Sequence, residues 1–187
     1  PTGSGGTISK LRDDYSFFNK HGDSVAISDD GTVIAMGAPN ATFNNGRDRR
    51  LGYVEIQKYS SGSWTRIGLL IGGTNSSFEQ FGQSIAMNGD GTILAVSSNR
   101  VNEVQVFEYD GSTWNTLGSS ITGVTADKHS TLSMNTAGTI LAVGTRTVNS
   151  NTGVVKVYEY SGGSWSQIGS DIDGEASGDF AAIVSIN

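Results

Sequence analysis

FGQSIAMNGDGTILAVSSNRVNEVQVFEYDGSTWNTLGSSITG, residues 81–123, reads as four short strands joined by tight turns. Ser84 to Met87 forms the first strand and Thr92 to Val96 the second. Asn88-Gly89-Asp90-Gly91 lies between them and supplies residues that tolerate the positive φ of a hairpin. The third strand runs from Glu103 to Tyr109. Alternation puts Val104, Val106 and Glu108 on one face and Glu103, Gln105 and Phe107 on the other. Asp110-Gly111-Ser112-Thr113 is the next turn, and Trp114 to Ile121 the fourth strand. Four strands in roughly 50 residues is the spacing of a propeller blade.

Equivalent blocks stand on either side. The first hairpin recurs as Ser24-Val25-Ala26-Ile27, Ser28-Asp29-Asp30-Gly31 and Thr32-Val33-Ile34-Ala35. It recurs again as Thr131-Leu132-Ser133-Met134, Asn135-Thr136-Ala137-Gly138 and Thr139-Ile140-Leu141-Ala142. The second hairpin matches more closely, from Tyr59 to Trp64, Tyr109 to Trp114 and Tyr160 to Trp165. Each Trp is followed four residues later by a glycine (Gly68, Gly118, Gly169) and three further on by an isoleucine (Ile71, Ile121, Ile172). The tryptophans are 50 and 51 residues apart, whereas the turn glycines Gly31, Gly91 and Gly138 are 60 and 47 apart. Strands therefore keep their spacing while certain loops vary.

Composition agrees. Among 187 residues there are 26 Gly and only 2 Pro, the mark of many short strands and turns, and no segment carries a capped helical period. No apolar run approaches the length a membrane-spanning helix needs. A net charge of -6 argues against a binder of nucleic-acid phosphates. The absence of cysteine excludes disulfides and thiolate metal sites.

In chain order, residues 1–18 read as linker plus an outer strand of a preceding blade, 19–72 as blade one, 73–123 as blade two and 124–174 as blade three. Residues 175–187 end in Phe180 to Asn187, which aligns with Phe81 to Asn88 as the first strand of a further blade. Propellers close with four to eight blades, so three cannot. The expected partners are further blades of a longer parent chain or other copies of this one, including in an open assembly such as a fibre.

Phe81-Gly82-x-Ser84-Ile85-Ala86, with Gly22-x-Ser24-Val25-Ala26, Gly37-Ala38-Pro39 and Gly52-Tyr53-Val54 in blade one, resembles FG-GAP repeats. Those build the propeller of integrin α-subunits and of many secreted microbial and algal proteins. The Asp-Gly-Thr hairpin also resembles WD40-like repeats. The resemblance covers about residues 20–187. It implies an extracellular, all-β protein of four-stranded blades, and calcium as a cofactor held by Asp-x-Asp-x-Asp-Gly loops. The matching turns here, Ser28 to Gly31, Asn88 to Gly91 and Asn135 to Gly138, are too short and too poor in carboxylates for the six to eight oxygens calcium takes. They read as plain turns.

The connections between second and third strands, and from blade to blade, vary in length and emerge on one face. Binding residues concentrate in such loops. Arg47, Arg49 and Arg50, with Arg100 and Arg146, form a candidate patch for sulfated or carboxylated glycans, because guanidinium groups match such anions bidentately. Asn40-Ala41-Thr42 and Asn75-Ser76-Ser77 are glycosylation sequons. The Trp and Tyr repeats read as packing residues, since a ring that recurs at one position serves every blade. His21 and His129 fall at different repeat positions and mark no shared metal site. No nucleophile elbow, zinc-binding helix motif or phosphate loop occurs. The expectation is a non-enzymatic extracellular structural or adhesion module. Its rivals are a lectin-like propeller and a hydrolase or lyase with active residues partly outside these blades.

Overall fold

The computed structural model describes residues 21–41, 51–72, 80–98, 102–123, 130–146, 152–176 and 184–186. Among them there is no helix and there are three antiparallel sheets. The first holds β1 (Ser24–Ile27), β2 (Val33–Ala38), β3 (Tyr53–Ser60) and β4 (Ser63–Ile71), in sequence order. The second holds β5 (Phe81–Met87), β6 (Ile93–Ser98), β7 (Glu103–Tyr109), β8 (Trp114–Thr116) and β9 (Ile121–Thr122). The third holds β10 (Thr131–Met134), β11 (Ile140–Thr145), β12 (Val154–Ser161) and β13 (Ser164–Asp173). Meandering four-stranded sheets stacked face to face are propeller blades.

The fourth strand of the second blade departs from the expected single run. It breaks between Thr116 and Ile121, and both pieces pair with β7. Gly118 has φ +77 there, a conformation that interrupts the ladder. The first and third blades absorb the same irregularity as a register shift, at Ile56/Gln57 and at Val155/Val157. Residues 184–186 carry no strand, but Ile186 N–H donates to Ser133 Oγ at 3.0 Å, so this segment rests on β10.

Two cores lie between the blades. Val33, Ala35, Val54 and Ile56 of the first blade meet Ile85, Leu94, Val96 and Phe107 of the second. On the opposite face of the second blade, Ala86, Ala95, Val104 and Val106 meet Met134, Leu141, Val143 and Tyr158 of the third. The second blade is thus buried on both faces, and its β6 is apolar at the successive positions Ile93 to Val96. Glu108, at the outer end of β7, is exposed.

Three contacts recur at each junction, and each explains a repeated sequence feature. The first-strand serines also reach the next blade, in opposite senses: Ser24 Oγ donates to Gly82 O at 2.7 Å, whereas Ser84 Oγ accepts from Leu132 N–H at 3.1 Å. In the inner turns, Asp29 N–H donates to Gly89 O and Gly89 N–H donates to Thr136 O, at 2.9 and 3.0 Å. The turn glycines permit close stacking: a Cβ on Gly91 would lie 2.6 Å from Val33 Cβ, and one on Gly138 would lie 2.6 Å from Ile93 Cδ1. At the outer edge, the indole of one blade sits over the glycine of the blade before it. Trp114 atoms lie 2.6 Å from where a Cβ on Gly68 would be, and Trp165 Cδ1 lies 3.2 Å from the equivalent point on Gly118. Trp165 Nε1 also donates to Leu117 O at 3.0 Å. Within each blade the Trp rests on its Tyr, with ring centroids 5.2 to 5.3 Å apart.

Leu94 has no exposed surface and packs between the first two blades. Leu94→Ala is expected to lower the unfolding free energy by ~2–5 kcal/mol, read from the urea midpoint. Tyr158 is buried in the other core. Burial first, and the Asp171 carboxylate second, push its phenol up to about 12. A folded-state value above the unfolded one favours the neutral phenol. Its stabilisation is complete below the ordinary tyrosine value of roughly 10 and is lost as pH rises toward about 12. Thermal melts across that window should show a loss of stability that Tyr158→Phe diminishes.

Candidate functional site

The inner and outer hairpin turns occupy one end of the blades, and their side chains are consumed locally. Asp30 Oδ1 accepts from Ser28 Oγ, from Thr32 N–H and from Thr32 Oγ1. The Ser28 hydroxyl, then the Thr32 amide, holds its carboxyl below the usual range. Asp110 is held lower still, first by Thr113 N–H and then by Ser112. Asn88 and Asn135 each accept two backbone N–H bonds across their turns. No three His, Asp or Glu side chains converge among the described residues.

The opposite end carries the variable connections. Of the five arginines proposed as an anion patch, Arg47, Arg49, Arg50 and Arg100 lie outside the described residues, as does Asn75. Arg146 follows β11 and is half-buried. Its Nε is buried and has no hydrogen-bond partner among the described residues. Asn40 follows β2, is half-buried, and its Oδ1 accepts from Gln80 Nε2 at 3.4 Å.

Two features of this end escaped sequence reasoning. The first is Gln80, which has φ +56 although it is not glycine. Its Oε1 is buried and unpartnered among the described residues. A side chain held in a left-handed backbone is strained, and such strain gathers at functional positions. The second is a histidine–tyrosine pair. Tyr53 opens β3 and is buried, and its hydroxyl lies 3.1 Å from His21 Nδ1. The rings stack with centroids 5.7 Å apart. Burial, then the Glu55 carboxylate two residues along, raises the Tyr53 phenol. His21 fills the repeat position that Phe81 holds in the second blade, and Tyr53 the position of Glu103. Departures from the repeat are therefore the signal that marks them. Together the loop end presents an imidazole, a phenol, two amides and a guanidinium, which suits hydrogen bonding to a polyhydroxylated ligand.

No family model and no curated protein sequence matches the chain. Solved structures do. A candidate 6-phosphogluconolactonase from Bacteroides fragilis superposes with a TM-score of 0.57 at 20% identity, over 80% of this chain and 38% of that one. A candidate 6-phosphogluconolactonase from Bacteroides uniformis gives 0.53 at 14% identity, over 78% and 39%. Hydrazine synthase from Kuenenia stuttgartiensis gives 0.57 at 13% identity, over 87% and 38%. The chain spans about two fifths of the length of these structures. At such identities the likeness shows the fold: an all-β protein of propeller blades.

The comparisons correct the sequence-based function. The expectation of a non-enzymatic structural or adhesion module is overturned, because the first two propellers matched are candidate lactonases. Nothing supports the adhesion, glycoprotein or extracellular reading or the FG-GAP assignment, and only the propeller part of that resemblance stands. The physical reason is that short-range motifs report sites built from one segment. In a propeller the reacting groups come from loops of several blades, far apart in sequence.

Gln80 gives a direct test of the strained corner. Gln80→Gly and Gln80→Ala both remove the amide, but only glycine relieves the left-handed backbone. The glycine variant is expected to be the more stable by ~1 kcal/mol in urea unfolding.

Proposed function

We propose that the chain contributes three blades to an enzyme-type propeller that opens a cyclic ester of a polyhydroxy acid. The likeness to two candidate 6-phosphogluconolactonases carries this reading. The His21–Tyr53 pair on the variable-loop end supplies chemistry that fits it.

In this reading His21 Nδ1–H donates to the Tyr53 oxygen, which leaves Nε2 free to take a proton. The buried phenol keeps its own proton, because its titration is pushed upward. A water attacks the ring carbonyl while its proton passes to Nε2. The tetrahedral intermediate collapses, the ring C–O bond breaks, and the proton on Nε2 moves to the departing oxygen. Product is an open hydroxy acid, and the histidine returns to its starting state. Gln80, Asn40 and Arg146 would hold hydroxyl groups and any anionic substituent. Blades beyond the three described would complete the enclosure.

The test is acid release from a six-membered sugar lactone in a pH-stat, above its spontaneous hydrolysis. The expected outcome is catalysed ring opening that His21→Ala reduces by ~10²–10⁴-fold. Turnover indifferent to His21, or none, would sink the proposal.

A further inference from the structure

Glu55 is a buried carboxylate that the ring-opening scheme does not use. It is 5% exposed and lies on β3, two residues into the blade from Tyr53 and on the same face. Its neighbours across the sheet are Met36 on β2 and Leu69 on β4, both apolar. Its Oε1 accepts from Gln57 Nε2 at 2.6 Å. A carboxylate taken out of water between apolar side chains carries a desolvation cost that an apolar residue of similar size would avoid. The second blade shows how the repeat fills this region. There Gln105 Nε2 donates to Glu103 Oε1 at 2.9 Å, the same amide-to-carboxylate bond placed one step nearer the loop end. Glu103 holds the position of Tyr53, and Gln105 that of Glu55. In the first blade the bond sits two residues deeper, and the loop-end position goes to Tyr53. His21 stands where the second blade has Phe81. Three departures from the repeat therefore adjoin, in the order imidazole, phenol, carboxylate from the loop end into the blade.

The 3.1 Å contact between the Tyr53 hydroxyl and His21 Nδ1 can run in either direction. The imidazole can donate Nδ1–H to the phenol oxygen. Alternatively the phenol donates its O–H to a bare Nδ1, which puts the imidazole proton on Nε2. Only the first arrangement leaves Nε2 able to take a proton. We infer that Glu55 is a positioning residue: its buried negative charge turns the phenol O–H into the blade and so fixes the Nδ1–H tautomer of His21. A fixed anion favours a dipole whose hydrogen end faces it, and the attraction is stronger away from water. The same charge favours the imidazolium formed when Nε2 takes a proton. The upward push on the Tyr53 phenol, from burial first and Glu55 second, agrees with this arrangement. Among the described residues, the other charged or titratable groups on this face are exposed. Arg66 lies opposite Gln57, and Asp23 and His21 lie at the loop end. The rest of the face is Val25, Ile27, Ile34, Met36, Ala38, Leu69 and Ile71. On the opposite face β5 carries no titratable residue. The inference rests on the lactone-opening reading for the use made of Nε2, whereas the tautomer itself does not depend on it.

The chain has two histidines, so nitrogen NMR of the labelled protein at mildly alkaline pH reports both tautomers, and His21→Gln assigns the His21 signals. The unaltered chain is expected to show Nδ1–H at His21. Glu55→Gln keeps the shape and removes the charge. It is expected to move His21 toward the Nε2–H form and to lower kcat on a six-membered sugar lactone by about tenfold or more, with KM little changed. Glu55→Asp, which restores the charge, should keep the tautomer. Glu55→Leu removes the carboxylate without burying an amide, suits the flanking Met36 and Leu69, and gives the same readout should Glu55→Gln fail to fold. Nε2–H in the unaltered chain, or a tautomer indifferent to loss of the charge, overturns the inference. So does lactone turnover whose kcat neither charge-free variant lowers. A chain that opens no lactone, yet loses its Nδ1–H tautomer in Glu55→Gln, would end the proposed function and uphold the role of Glu55.

Discussion

Burial of one sheet face against the next is the constraint on which the structure depends. A four-stranded meander has two faces, and a single blade cannot bury either alone. The second blade shows the solved condition, with Leu94 and Val96 turned to one neighbour and Val104 and Val106 to the other. Sheets can approach this closely only where side chains are withdrawn. That is why glycines stand at Gly91 and Gly138 in the inner turns and at Gly68 and Gly118 under the indoles. A methyl group at any of these would meet the adjacent blade.

The same constraint divides the molecule into two ends of different character. Short hairpins at one end spend their polar side chains on their own backbone, as Asp30, Asn88 and Asp110 do. They have little left with which to hold a ligand. At the other end, connections of unequal length leave His21, Asn40, Tyr53, Gln80 and Arg146 free of any repeat rule. Atoms of Gln80 and Arg146 that are buried and have no partner among the described residues are found there. A rigid stack of sheets can carry such groups because blade packing, and not the loops, holds the fold together.

Much of the architecture was legible in the residues. The Tyr–turn–Trp spacing and the glycine-containing turns locate the blades, and alternation in β7 puts Val104 and Val106 on one face and Phe107 on the other. What the sequence misjudged was function, for a reason of scale. His21 and Tyr53 are 32 residues apart, and Gln80 and Asn40 are 40 apart. No local motif spans such distances, so the pair and the strained corner became visible only with coordinates. The break in the second blade's outer strand was equally hidden, because Gly118 has counterparts in Gly68 and Gly169, whose strands run unbroken.

The sequence by itself determined the blade: its four strands, its turns and the positions of its tryptophans, all of which rest on contacts a few residues apart or on a period. Only the tertiary structure decided what each repeated residue does. Trp114 and Trp165 are wedges between blades while Trp64, at the same place in its repeat, stands exposed. Identical local patterns take different roles because burial depends on the neighbouring blade, and the neighbour is not written in the segment that needs it.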